Sequence, residues 1–309
     1  MVTLVYVEEP GDLAQQTLAF ARSLGEPLEA YTAGAPVDVT GVEKVHHADS
    51  DAFAGYAPAA IARGLVELMS ARSPSAVVAS GTPRGNEVLA RVAAMTDLPF
   101  AANCVASTPG DPAAVTRTRW GGSLLEEARI HGGPLLLTVQ PHAVEAEPAQ
   151  GEAAPVESFS PALEDADRVV TVRERVGSSA GGVSLAEAKV VVSCGRGAGS
   201  PEGFGIIEEL ADLLGGAVGC SRAVTMAGWR PHTDQVGQTG TKIAPDIYIA
   251  CGISGATQHM AGCKGAKAIL AVNTDPEAPI LASADYAVIG DLHEVVPAIS
   301  AELRKAGSG

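Results

Sequence analysis

Two short glycine-rich runs stand where apolar runs stop. Cys194–Ser200 reads CGRGAGS and follows Lys189–Ser193; Gly252–Gly255 reads GISG and follows Ala244–Cys251. Glycines placed just after a strand let backbone N–H groups close around a phosphate. Gly195, Arg196, Gly197 and Gly199 do not have the G-x-G-x-x-G spacing, and a turn without a ligand explains them equally well. Ser254 stands where a short helix opens, and free N–H groups at the positive end of a helix favour an anion; an ordinary Ser N-cap would look the same. A third loop, Asp234–Gly240, reads DQVGQTG: it is polar, holds two glycines, and carries Thr239 near its tip. Arg222 follows Cys220–Ser221, and Gln258 and His259 fall in the short helix. Each alone has a plain alternative: a surface Arg, a satisfied core His, a Thr making a local turn bond. Their common feature is position. All fall at one edge of one small sheet, at strand ends, where open α/β sheets bind ligands.

The elements that must position them alternate. In the first half, Leu4–Val7, Leu28–Tyr31, Val42–His46 and Ala76–Ala79 read as strands. Leu13, Thr17, Phe20 and Leu24, then Ile61, Leu65, Leu68 and Met69, then Val88, Val92 and Met95 recur at helical spacing. Strands alternating with helices imply a parallel sheet covered on both faces. Ala101–Ala106, Val115–Thr118, Leu135–Val139 and Val169–Val172 have little helix between them and are expected as further strands, some antiparallel. Pro141–Glu164, rich in Pro, Ala and Glu, is expected to be a surface excursion. The small, polar run Gly177–Ser184 (GSSAGGVS) is the expected domain boundary, giving units 1–182 and 183–309. The pattern then restarts: a strand at Lys189–Ser193, a helix around Pro201–Leu214, strands at Ala217–Val218, Ala244–Cys251, Lys267–Asn273 and Tyr286–Ile289. A last helix carries Leu292, Val295, Val296, Ile299 and Leu303, with Asp291 as its cap and Glu294 three residues on. The expected fold class is α/β in two domains: a mixed or parallel nucleotide-binding-like sheet, then a Rossmann-like doubly wound parallel sheet. Of 35 glycines, 20 lie after residue 180, so the shorter domain has more places for close backbone approach.

Composition sets bounds. The chain has 309 residues with 46% hydrophobic content, enough for two cores. Aromatics are only 4%, which disfavours a site built on stacking platforms. A net charge of −15 disfavours nucleic acid and anionic membranes and favours solubility. No apolar run reaches membrane-spanning length, and MVTLVYVEEPG enters a strand pattern at once, so neither a membrane protein nor a leader is expected. Cys104, Cys194, Cys220, Cys251 and Cys263 form no C-x-x-C pair. That spacing argues against zinc, iron–sulfur clusters and disulfides and fits buried thiols of a reduced, cytoplasmic protein.

Asp246–Asn273, DIYIACGISGATQHMAGCKGAKAILAVN, followed by TDPEAPI, closely resembles the signature of the electron transfer flavoprotein alpha subunit. Upstream, GCSRAV and DQVGQTGTKIAPDIYIA fit the same family in order and spacing. The match is dense from about Lys189 onward and looser in the first half, where SGTPRGNEVLARVAA is less distinctive. The resemblance implies one FAD in the C-terminal domain and a beta subunit as partner. It implies Thr239 donating to flavin N5, Arg222 against the isoalloxazine with Ser221 beside its polar edge, and His259 near the C2 carbonyl. Gln235, Gly237, Gln238 and Gly240 would line the ring and ribityl side. Arg196, Ser254, Gly255 and Gln258 would lie near pyrophosphate and ribityl, and Asn273 and Asp291 at the adenosine end. On this view the glycines of DQVGQTG let backbone pass close to the ring.

The implied function is electron carriage from flavin dehydrogenases, such as acyl-CoA dehydrogenases, to a membrane quinone oxidoreductase through an anionic semiquinone, as in fatty acid β-oxidation. A cationic Arg222 and a hydrogen-bonding His259 would favour that charge. No acid, base or nucleophile constellation is present, as suits a carrier without substrate chemistry of its own. Three alternatives stay open: an NAD(P)-binding oxidoreductase on a similar domain, a subunit of a bifurcating carrier with a second FAD, and a nucleotide sensor. Cys194 stands where the family often has Gly.

Overall fold

The structure is a computed structural model that describes residues 1–119, 124–146, 151–172 and 184–306. The chain divides into two compact units, Met1–Arg175 and Val176–Gly309. The boundary expected at 182/183 lies outside the described residues.

The first unit runs β1 (Thr3–Tyr6), α1 (Asp12–Arg22), β2 (Leu28–Ala33), β3 (Lys44–Ala48), α2 (Pro58–Arg72), β4 (Ala76–Ser80), α3 (Pro83–Thr96), β5 (Phe100–Thr108), β6 (Ala113–Arg119), β7 (Leu124–Ile130), β8 (Leu135–Val139) and β9 (Val156–Phe159). Its nine-stranded sheet has the order β7-β6-β5-β8-β4-β1-β2-β3-β9. Only the β5–β6 and β6–β7 pairs are antiparallel. The central strands are buried on both faces because helices cover both. Leu18, Phe20 and Leu24 from α1 and its end pack on one face; Ile61, Leu65, Val88 and Leu89 from α2 and α3 pack on the other.

Two expectations for this unit are corrected. Val169–Val172 is not a strand; it follows a 3-10 turn at Asp165–Arg168 and Val169 is 77% exposed. Apolar type alone does not make a strand without a partner edge, and the turn is instead held by Arg63 Nε donating to buried Asp167, 3.0 Å away. The strand that does join the sheet, β9, lies inside the stretch expected to be an excursion. Its residues VESF are mostly exposed, so pairing with β3 and the Lys44–Glu157 ion pair hold it rather than burial. The edge strand β7, LLEEARI, likewise carries no buried alternation.

The second unit runs β10 (Val190–Cys194), α4 (Gly205–Leu213), β11 (Ala217–Cys220), α5 (Arg222–Met226), β12 (Ile247–Cys251), α6 (Thr257–Cys263), β13 (Ile269–Asn273), β14 (Tyr286–Ile289) and α7 (Leu292–Ala306). The five strands are parallel, in the order β11-β10-β12-β13-β14. Counted within the unit this is 2-1-3-4-5, a doubly wound sheet whose order reverses between β10 and β12. The apolar runs VVVSC and IYIAC are central strands and are buried almost throughout. One face carries Ile207 and Leu210 of α4 with Leu292 and Val296 of α7. The opposite face carries Val236, Ile243, Ile253, Cys263 and Ile280. Burying each such side chain contributes about 1.5–3 kcal/mol. Asp291 caps α7, its Oδ1 accepting from the His293 N–H at 2.9 Å.

Candidate functional site

Chain reversal between β10 and β12 opens a crevice at their C-terminal ends, since the connections leave in opposite directions. A cavity of about 380 Å³ lies there. It is lined by Arg196, Ser221, Arg222, Gln235, Gly237, Gln238, Thr239, Ser254, Gln258, His259 and Asn273, eleven of the fourteen expected residues. A larger cavity, about 640 Å³, lies in the first unit, but Glu26 is its only charged side chain and Leu24, Val66, Met69 and Leu135 dominate the wall. The convergent polar groups are at the smaller one.

The floor is built by backbone. The Gly195 N–H donates to the Cys251 carbonyl at 2.9 Å and the Gly197 N–H to the Gly252 carbonyl at 3.3 Å. A Cβ on Gly252 would lie 2.8 Å from Gly197 Cα and from Leu292 Cδ2, and its φ of +60° suits glycine. The loops after β10 and β12 therefore touch main chain to main chain, which leaves Arg196 exposed at the rim. Beneath them Cys194, Cys220 and Cys251 stand side by side in register on three adjacent strands. All three are buried, and burial pushes the Cys194 and Cys220 thiols up to about 12. They are inert, protonated core groups.

The DQVGQTG loop is held from three sides. Buried Asp234 is paired with the buried Arg230 at 2.9 Å, and Arg230 also pairs with Glu208 of α4. Buried Gln235 accepts from the Thr225 hydroxyl at 2.8 Å and donates to Thr239 Oγ1 at 3.0 Å. The Thr239 oxygen thus has its donor, and its own hydrogen is left for an acceptor in the cavity. The Gln238 N–H donates to the Gln258 carbonyl at 2.7 Å, seating the loop on α6. The loop's glycines serve this seating. A Cβ on Gly262 of α6 would lie 2.3 Å from Gly237 N, and one on Gly240 would lie 2.2 Å from the Gln235 carbonyl. The close approach they permit is to the protein's own backbone.

Three expected residues stand elsewhere. Gly240 turns beneath Gln235, Gly255 is backed against Ile280 with a Cβ position 2.4 Å from the Ile280 nitrogen, and Asp291 caps α7. Ser254 does not cap α6: the helix begins at Thr257 after Ala256, and no side chain caps its first turn. Asn273 lines the cavity but its amide is committed, donating to the Ile253 carbonyl at 2.9 Å and accepting from the Asp275 N–H at 3.0 Å. Asp275, Ala278 and Pro279 also line the wall. They belong to the TDPEAPI run, whose Asp, two residues beyond the end of β13, was the available signal for them.

Two electrostatic features stand out. Arg196 and Arg222 make no ion pair among the described residues, and Asp275 is the single carboxylate on the wall. His259 is 7% exposed; its Nε2 lies 2.7 Å from the phenol of Tyr248 in β12, while its buried Nδ1 makes no hydrogen bond among the described residues. Burial pushes the His259 pKa down to about 4, offset in part by the Val236 backbone, so the ring is neutral.

Residues 3–164 match the electron transfer flavoprotein domain, and residues 184–264 match the electron transfer flavoprotein FAD-binding domain. The chain is 36% identical to the electron transfer flavoprotein subunit alpha of Syntrophomonas wolfei, over 98% of this chain and 99% of the relative. It is 39% identical to that of Pseudomonas aeruginosa, over 94% and 93%. It is 36% identical to Protein FixB of Clostridium saccharobutylicum, over 92% and 88%.

Proposed function

The chain belongs to the electron transfer flavoprotein alpha-subunit family, and from that premise we propose that its second unit grips FAD in the crevice between β10 and β12 and serves a one-electron carrier. FAD is the cofactor of the matched domain, and the residues present fit it. Two unpaired guanidinium groups face a cavity with one carboxylate, in a chain of net charge −15. That local reversal of sign is the observation that carries the assignment, because a diphosphate and an electron-rich ring both need cations.

Arg196 and Ser254 would hold the pyrophosphate side of a bound FAD, and Gln258 the ribityl. Arg222 would lie against the ring, with Ser221 at its polar edge. Thr239 would offer its spare hydrogen to the ring's N5, and His259 would stand near its C2 carbonyl. Gln235, Gly237 and Gln238 would line the ring, and Asn273 and Asp275 the adenosine end. Gly240, Gly255 and Asp291 support these from behind. FAD supplies the redox chemistry, and the protein supplies binding, orientation and field.

The carrier is completed by a beta subunit contacted through residues 1–182, with 183–309 as the FAD-binding domain. Electrons come from flavin dehydrogenases, such as acyl-CoA dehydrogenases, and leave to a membrane quinone oxidoreductase, in the cytoplasm. No helix among the described residues is long and apolar enough to cross a membrane. No substrate chemistry is assigned to the chain itself. The test is to purify the chain with its beta partner and count flavin. One FAD per heterodimer, lost in Arg196→Ala/Arg222→Ala at raised salt, supports the proposal. Two flavins per heterodimer would mark the bifurcating form. A pair that stays colourless after reconstitution with FAD would end the proposal.

A further inference from the structure

The Tyr248–His259 contact has a direction, and that direction fixes what His259 presents to the cavity. Tyr248 is fully buried in the central strand β12, and its phenol lies 2.7 Å from His259 Nε2. A buried phenol must place its hydrogen, since leaving a donor unpaired costs about 1–3 kcal/mol. Burial holds the phenol far above its ordinary pKa, so the hydrogen is present. Among the described residues His259 Nε2 is the one hydrogen-bond partner of that phenol, and the neighbouring Ser193 hydroxyl makes no hydrogen bond, so the phenol hydrogen goes to Nε2 and Nε2 is the acceptor. A neutral imidazole has one N–H and one lone pair, and the partner at one nitrogen decides where the hydrogen sits at the other.

We propose that Tyr248 is a positioning residue that donates to His259 Nε2 and thereby keeps the ring hydrogen on Nδ1, where no protein group takes it up in full. His259 then stands at the cavity wall as a neutral hydrogen-bond donor with an unmade bond, preset before a ligand arrives. A ligand accepting that hydrogen gains a bond without paying for ring reorientation. A group whose acceptor oxygen becomes more electron-rich on reduction gains more in its reduced form, because hydrogen bonds to charged groups are about twice as strong as neutral ones. This deepens the FAD assignment above and rests on it for the identity of the acceptor.

The experiment is nitrogen NMR on the heterodimer of the full chain with its beta partner, with 15N-labelled histidine. The chain has seven histidines, so a His259→Gln sample assigns the signals of His259. The expected spectrum has Nδ1 protonated and Nε2 as an unprotonated acceptor. In Tyr248→Phe the ring should redistribute between both tautomers. The same variant should lose about tenfold in relative affinity for reduced over oxidised FAD, the worth of one hydrogen bond, which is about 30 mV downward on the two-electron midpoint. A hydrogen on Nε2 in the unaltered protein overturns the proposal without any variant needing to fold. So does a Tyr248→Phe protein with an unchanged tautomer. Unchanged FAD affinity and potential in His259→Gln would instead refute the placement of the cofactor, whichever nitrogen carries the hydrogen.

Discussion

Gly252→Ala tests whether the cavity floor is made by the contact of two backbones. Gly252 and Gly215 both have left-handed backbone, with φ of +60° and +62°. They differ in space: a Cβ on Gly252 meets Gly197 Cα and Leu292 Cδ2 at 2.8 Å, whereas nothing lies within 4 Å of one on Gly215, just past the end of α4. The conformational cost for Ala, about 1–2 kcal/mol, is common to both, and about 0.4–1 kcal/mol returns through the stiffer unfolded chain. Gly215→Ala should therefore cost about 0–1.5 kcal/mol. Gly252→Ala adds overpacking against a backbone that cannot rotate away, about 1–3 kcal/mol more. With a urea slope of about 1–3 kcal/mol per M, the Gly252→Ala midpoint should fall about 1 M below that of Gly215→Ala. Urea unfolding followed by circular dichroism reads this, and titration with FAD should show weaker binding in Gly252→Ala alone. Equal midpoints for the two variants would refute the interlock of the β10 and β12 loops.

Three further outcomes follow from the same geometry. Arg230→Met should destabilise the protein by about 3–5 kcal/mol, because it leaves Asp234 buried and unpaired; urea unfolding checks the stability, and weakened FAD binding would report the loosened loop. His259 has a folded pKa of about 4 against an ordinary 6.5. The unfolded chain therefore binds a proton that the folded chain does not between those values, and stability held above pH 6.5 is lost as pH falls toward 4, by about 3 kcal/mol. His259→Gln should flatten the unfolding free energy in that window, and an unchanged slope would contradict the burial argument. Cys194, Cys220 and Cys251 are buried, with thiols pushed up by desolvation. A thiol-alkylating reagent at pH 8 should leave these three unmodified in the native protein and label them in denaturant, as read by peptide mass.

Much of this protein is written locally. The runs VVVSC and IYIAC are apolar enough to be central strands in any packing, and the glycines after them mark where each strand must release the chain. The DQVGQTG and GISG loops, Arg222 and His259 were therefore legible as strand-end residues, and the dense motif from Asp246 to Asn273 pointed to the family. What the sequence could not decide depends on partners far along the chain. VESF becomes a strand because β3 offers an edge, while the more apolar Val169–Val172 does not. Gly237 and Gly240 are glycines because α6 and Gln235 press on them. Gln235 orients Thr239, Arg230 pins Asp234, and Tyr248 orders His259. Residue type sets which groups can hydrogen-bond or charge-pair; only the folded arrangement removes competing water and selects one partner for each, and that selection turns fourteen separate possibilities into eleven residues around one cavity.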